Sequence, residues 1–414
     1  MSVGTNSIGK PVSRIDGPAK VTGRAKYAAE FSAPDLAYGF VVSSVVAKGR
    51  IQSIDRSAAL AVPGVIEVFA HDNRPSLPSS HEKYTDQVAA PGSPFRPLYN
   101  GDILFSGQPV ALVVAEELEI ARFAASLVDI RYETAEAVTD LETQIDKAFE
   151  PPEKRAPDWD PPARGDVDSA LSRAPTHIRT EYRTPVEHHH PMETFASTAV
   201  WENDGRLMAA LAAIGLKRSV RVTLTRQQMF TLGYRPQTLQ MLTLGAENDG
   251  RLVAVKHDAI ANTSRFEDYQ EPTVVWSGAL YPCDDSAVAS RLARLNLFTP
   301  CDMRAPGGAV GIGMALHEET VIDHRYGRFM NHSLAEYHVP VHADVNAIDV
   351  IFVDEQEHRL NPLGVKGVGE IGIVGTAAAI ANAVFHATGV RVRDLPITID
   401  KLLELRQPNS NHAA

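Results

Sequence analysis

The stretch "PVALVVAEELEIARFAASLVDIRYE" (Pro109 to Glu133) constrains the fold more than any other. Its opening, "PVALVVA", is continuously apolar and reads as a buried strand. An amphipathic helix follows, with "EELEIAR" as its solvated face, and runs into a second strand, "VDIRYE". A chain that alternates this way belongs to the α+β or α/β classes. Upstream, "AYGFVVSSVVAKGRIQSID" (Ala37 to Asp55) starts as a buried strand. "SAALAVPGVIEVFA" then gives a short helix, a Pro63-Gly64 turn and a strand. Residues 18–137 therefore read as one mixed unit.

Residues 138–175 are rich in Pro, Asp and Glu ("EPPEKRAPDWDPPARGD") and read as a linker, closed by a short helix, "DVDSALSRA". From 176 to 255 strands return, and two Asn-Asp-Gly turns, at 203–205 and 248–250, signal hairpins. Two joins are awkward. "AVWENDGRLM" passes into the helical pattern "AALAAIGLKRS" with its return strand clipped, and "MRAPGGAVGIGMALHEET" fuses a glycine-rich loop to a new segment. The last part, 313–405, ends in "VRVRDLPITIDKLLEL", read as a strand, an extended stretch and a short helix; the tail beyond it is expected to fray.

With 414 residues, 44% of them apolar, the chain is long enough for two or three domains with a sizeable core. The net charge of −11, with both signs interspersed, argues against a nucleic-acid or anionic-membrane surface. Cys283 and Cys301 are the only cysteines and neither sits in a C-x-x-C, so a Cys₄ zinc site or a self-contained iron–sulfur cluster is not expected; one bridge or two thiols remain open. No apolar run reaches membrane-spanning length, and "MSVGTNSIGKPVSRIDG" has no apolar core of a secretory signal. His188-His189-His190 reads as structural, because successive strand side chains alternate faces and cannot converge on a metal. Trp159, Trp201 and Trp276 read as core or linker anchors.

"KGVGEIGIVGTAAAIANAV" (Lys366 to Val384) contains a formal G-x-G-x-x-G followed by a helical run, with Asp394 near the distance of a ribose-binding acid. A dinucleotide site also needs a strand before Gly367, where a polar loop stands, and further parallel strands after Asp394, where too few residues remain. The loop's physics does not need that reading. Its glycines admit close backbone approach, the following helix offers a positive end, and Glu370 places a carboxylate beside it. An ordinary N-cap carboxylate is the plain alternative.

The same loop, "VKGVGEIGIVG", resembles the active-site loop of the molybdenum-binding large subunits of the xanthine dehydrogenase / aldehyde oxidase family, most closely those of bacterial aldehyde oxidoreductases. Other stretches are similar in the same order: "RIDGPAKVTGRAKYAAEF", "GQPVALVVAEELEIARFAASLVDIRYE", "HHHPMETFASTAVWE", "MRAPGG", "FMNHSLAEYHVPVHADV" and "GVRVRDLPITIDKLLE". The resemblance implies an α+β fold: an N-terminal α/β hammerhead domain (18–137), a linker (138–175), and remnants of a first (176–312) and second (313–405) molybdenum-cofactor-binding domain. It implies that Glu370 is the general base, activating an oxygen nucleophile derived from water, and that Arg304 orients substrate and stabilises developing charge. Lys366, Gly367, Val368, Gly369 and Arg304 would contact molybdenum-molybdopterin cytosine dinucleotide, with no direct protein ligand to the metal. Gln108 matches the hammerhead alone and gains no chemistry. The implied reaction oxidises aldehydes, or hydroxylates N-heterocycles. Separate 2Fe–2S and FAD-binding subunits would carry electrons away, in the cytoplasm or, by co-export with a partner, in the periplasm.

The departures fall at the two awkward joins. The family's G-G-x-F-G-G loop is missing after Trp201, and its later glutamine-glycine and serine-glycine loops are missing after "MRAPGGAVG". The chain resembles a family member with two internal deletions. A cofactor-free scaffold is therefore the alternative expectation, since one glycine loop and one arginine make few of the contacts a large anionic cofactor needs.

Overall fold

The computed structural model describes residues 13–76, 90–152, 161–201, 208–301, 307–351, 353, 355, 359–360, 364, 366–367 and 371–406. The first unit contains helix α1 (Gly17–Val21), strands β1 (Ala37–Ser43) and β2 (Gly49–Asp55), helix α2 (Ser57–Leu60), strands β3 (Val65–Ala70), β4 (Asp102–Ile103) and β5 (Pro109–Ala115), helix α3 (Leu118–Ala125) and strand β6 (Asp129–Thr134). The apolar run of β5 is buried along its whole length. It pairs antiparallel with β1 and with β3. Alternation sends Leu112 and Val114 into one core with Val41 and Phe69, and Ala111 and Val113 into another with Val68 under α2 and α3. Strand β2 pairs with β4 and β6 in a separate three-stranded sheet.

The second stretch contains α4 (Val167–Arg173), β7 (Thr176–Thr184), β8 (Glu187–His188), β9 (Ala196–Ala199), α5 (Met208–Leu216), β10 (Val220–Thr223), α6 (Arg226–Leu232), β11 (Tyr234–Arg235), β12 (Thr238–Ala246), β13 (Leu252–Thr263), α7 (Val275–Leu280) and β14 (Asp285–Arg294). The sheet order is β14-β13-β12-β7, with β13 and β14 parallel. The turn at 248–250 joins β12 to β13 as a hairpin, and Gly250 adopts φ +87°, a conformation L side chains avoid.

The turn at 203–205 lies outside the described residues, but its flanks correct the hairpin expectation. Strand β9 ends at Ala199, and the chain resumes as helix α5 rather than as a return strand. The partner of β9 is β10, with Ala199 opposite Val220, and β10 runs parallel to β1. So β9, α5 and β10 complete the first unit's sheet in the order β3-β5-β1-β10-β9. Helix α5, rich in the strong helix formers Ala and Leu, buries Ala212 and Ala213 against Leu112 and Val114. Arg218 fastens this graft: its Nη1 and Nη2 donate to the two carboxylate oxygens of Glu116 at 2.9 and 2.7 Å.

On either side of the proline-rich stretch, Phe149 bridges to Leu292 and Arg164 to Ser286, pairing two points on the outer edge of β14. The final stretch contains α8 (Gly307–Leu316), β15 (Ile322–Asp323), β16 (Arg328–Phe329), α9 (Ile371–Val374), α10 (Thr376–Thr388) and α11 (Ile399–Arg406). The strand expected in "VRVRD" does not form. Val390 and Val392 are buried with Ile397 beneath helical side chains Ile380, Val384 and Leu402, and Asp394 meets β7 only through a single bridge to Arg183. Trp276, expected as an anchor, is 61% exposed on α7, and Trp159 lies outside the described residues. The two cysteines are separate thiols, Cys283 buried and Cys301 partly so.

Candidate functional site

Of the residues that the sequence singles out, Glu370, Arg304, Val368 and Gly369 lie outside the described residues; Lys366 and Gly367 are described. The flanks of both loops are placed. The arginine loop leads into α8 and the glutamate loop into α9, and α8 packs against α9 and α10. At the crossing, Gly311 faces Thr376 so closely that a Cβ on Gly311 would lie 2.6 Å from the Thr376 Cβ. The two loops therefore enter neighbouring helices.

The two described residues of the glycine loop, Lys366 and Gly367, are exposed. The Lys366 ammonium donates to Glu355 at 2.8 Å, and both side chains are exposed. A Cβ on Gly367 would meet nothing within 4 Å. The helix expected to offer its positive end is α9, which is 4 residues long and separated by Gly375 from the longer α10, so little macrodipole is directed at the loop. Ahead of the loop, Ile348, Val350, Ile351 and Val353 are 56–87% exposed. Among the described residues no strand leads directly into Gly367, and Asp394, expected near the place of a ribose-binding acid, pairs with Lys401 at 3.4 Å.

A molybdopterin is a large anion that needs many donors and an enclosing wall. The described residues offer one cation from the loop, already paired with Glu355, and glycine backbone facing open space. They do not fit that group by themselves. Among the described residues no cluster of histidine, cysteine and acidic side chains is arranged to hold a metal ion.

A second cluster was not legible in the sequence. His188 and His190 share an aromatic pocket with Phe230 and Tyr337, whereas His189 turns toward Cys301, Nδ1 to Sγ 3.8 Å. Burial keeps both pocket imidazoles neutral: it holds His188 well below the usual range and brings His190 down to about 4. Beside them burial pushes Glu187 up to about 8, Arg235 pulling the other way and Glu318 and Glu271 adding to the rise. Burial likewise lifts Glu318 to about 7 against a hydrogen bond from Tyr337. Glu187 and Glu318 are 131 positions apart in the sequence and come together only through tertiary packing. No spacing rule brings them together.

A hammerhead unit joined to an α+β region with glycine-rich loops leading into packed helices is the architecture of a molybdenum hydroxylase large subunit. Residues 22–136 match the aldehyde oxidase and xanthine dehydrogenase α/β hammerhead domain. Residues 149–209 and 205–324 match the molybdopterin cofactor-binding domain, in two pieces that meet at the first awkward join. The chain belongs to the aldehyde oxidase and xanthine dehydrogenase family. The aldehyde oxidoreductase molybdenum-binding subunit of Escherichia coli K12 is 34% identical over 367 residues, covering 76% of this chain and 48% of that protein. The chain thus spans about half the length of that relative. Among solved structures, the aldehyde oxidoreductase of Desulfovibrio desulfuricans shares the fold at a TM-score of 0.60 and 17% identity, over 72% of this chain and 40% of that one. Quinoline 2-oxidoreductase of Pseudomonas putida 86 does so at 0.56 and 21% identity, over 72% and 46%.

Proposed function

We propose that the chain is an abridged molybdenum-binding subunit of an aldehyde-oxidising hydroxylase. It keeps the hammerhead and the paired loop-bearing helices but does not hold its cofactor unaided. The observation that carries this reading is the exposure of Ile348, Val350, Ile351 and Val353 upstream of the glycine loop, an apolar run of the kind a folded subunit covers. The domain division 18–137, 138–175, 176–312 and 313–405 belongs to this reading, with 203–207 and 302–312 as the seams.

The second reading is a working hydroxylase, favoured by the 34% identity to the Escherichia coli subunit. In it Glu370 acts as base and Arg304 as the charge-stabilising group, on an aldehyde or N-heterocycle, with molybdopterin cytosine dinucleotide as cofactor. Electrons would leave through 2Fe–2S and FAD subunits, because two isolated cysteines cannot build a cluster. The compartment would be the cytoplasm, or the periplasm by co-export.

The two readings separate when the chain is produced with molybdopterin supply and assayed for molybdenum and aldehyde-dependent dye reduction. The abridged subunit retains far less than one metal per chain and shows no reduction above that of Glu370→Gln. Near-stoichiometric metal with a rate abolished by Glu370→Gln overturns it.

A further inference from the structure

The Glu187–Glu318 cluster has no part in the reading above, yet it sits where three elements meet. Glu187 lies on β8, and its Oε1 is buried without a hydrogen-bond partner among the described residues. Glu318 follows α8 and is 4% exposed, and its Oε1 is equally unpartnered. Gly313 leaves the room that oxygen occupies, since a Cβ there would come within 1.9 Å of it. The Tyr337 hydroxyl faces Glu318 and accepts the backbone N–H of His188 at 3.4 Å, tying the far end of the segment back to β8. Phe329 closes the cluster edge-on to His188, ring centroids 4.8 Å apart, and Thr320 donates to the Val186 carbonyl at 2.6 Å.

The charges around the pair do not neutralise it. Arg235 on β11 is the cation facing Glu187, and it is already bound to Glu271 at 2.8 Å. Tyr269 also donates to Glu271, at 2.9 Å. On β8 His188 is buried and neutral; just after the strand, His190 is half-buried and neutral and His189 points to Cys301. His317 and Glu319, beside Glu318, are exposed. Two buried carboxyls in this setting are stable when protonated and repel when ionised.

We propose that Glu187 and Glu318 form a proton-held latch that fastens segment 313–337 to β8 and loosens it when both acids ionise. A buried acid whose folded titration point is raised contributes stability that is fully present below the unfolded glutamate value, about 4.3, and is lost progressively as pH rises to the folded titration point. For Glu318 and Glu187 that loss is complete near about 7 and about 8. Loosening should therefore grow across neutrality and level off above the higher of these values.

Hydrogen exchange of the full chain between pH 6 and pH 9, corrected for the chemical rate, tests this. Protection of peptides within 313–337 should fall about tenfold or more, while the β5 core stays protected. Glu187→Gln and Glu318→Gln, each an uncharged shape match, should each blunt that fall. Protection that is flat with pH in the unmodified chain overturns the latch, whether or not either variant folds. So does an equal fall in both glutamine variants.

Discussion

Gly311 and Thr376 touch at a helix crossing with no space for a side chain between them, and this contact sets α8 against α10. Replacing Gly311 with alanine adds about 1 kcal/mol of helix propensity but drives a Cβ into Thr376, and a crowded core contact costs about 1–3 kcal/mol. The clash should win, because the nearest atom is the Thr376 Cβ, which cannot rotate away. Urea unfolding of Gly311→Ala should show a lower midpoint than the unmodified chain. A higher midpoint would mean that α8 and α10 are not held this closely.

The Lys366–Glu355 pair is exposed on both sides, so it should contribute roughly 0–1 kcal/mol. A double-mutant cycle with Lys366→Ala and Glu355→Ala, read by denaturant unfolding, should give a coupling in that range that shrinks with added salt. A coupling of several kcal/mol would show a desolvated pair rather than an exposed one.

Arg218 holds the β9–α5–β10 graft to the first unit through both oxygens of Glu116, with its own side chain only 19% exposed. Because Glu116 is half exposed, Arg218→Ala should cost about 1–2 kcal/mol rather than the larger value of a buried pair. Arg218→Lys should recover little, since an ammonium cannot make the two-pronged contact. Equal stability of the alanine and native chains would contradict this account of the graft.

How much was legible follows the range of the interactions involved. Strand β5, helix α3 and the hairpin at 248–250 depend on local period and turn chemistry, and the sequence carries both. Helix α5 was legible as a pattern, but its role was not: pairing of β10 with β1 is a long-range event that no window of residues encodes. "VRVRD" alternates like a strand, yet Val390 and Val392 bury against helices, because burial does not require a ladder. For the candidate site, the loop of Lys366 and Gly367 was found from its residues and resemblance, whereas the pairing of Lys366 with Glu355 and the meeting of Glu187 with Glu318 needed the fold.

In the proposed abridged subunit the hammerhead and the paired helices persist while the cofactor cradle is incomplete. The most direct measurement is molybdenum per chain in protein purified after production with molybdopterin supply. An abridged subunit should give a ratio far below one in a chain that is folded by circular dichroism. A ratio near one, retained through gel filtration, would contradict it.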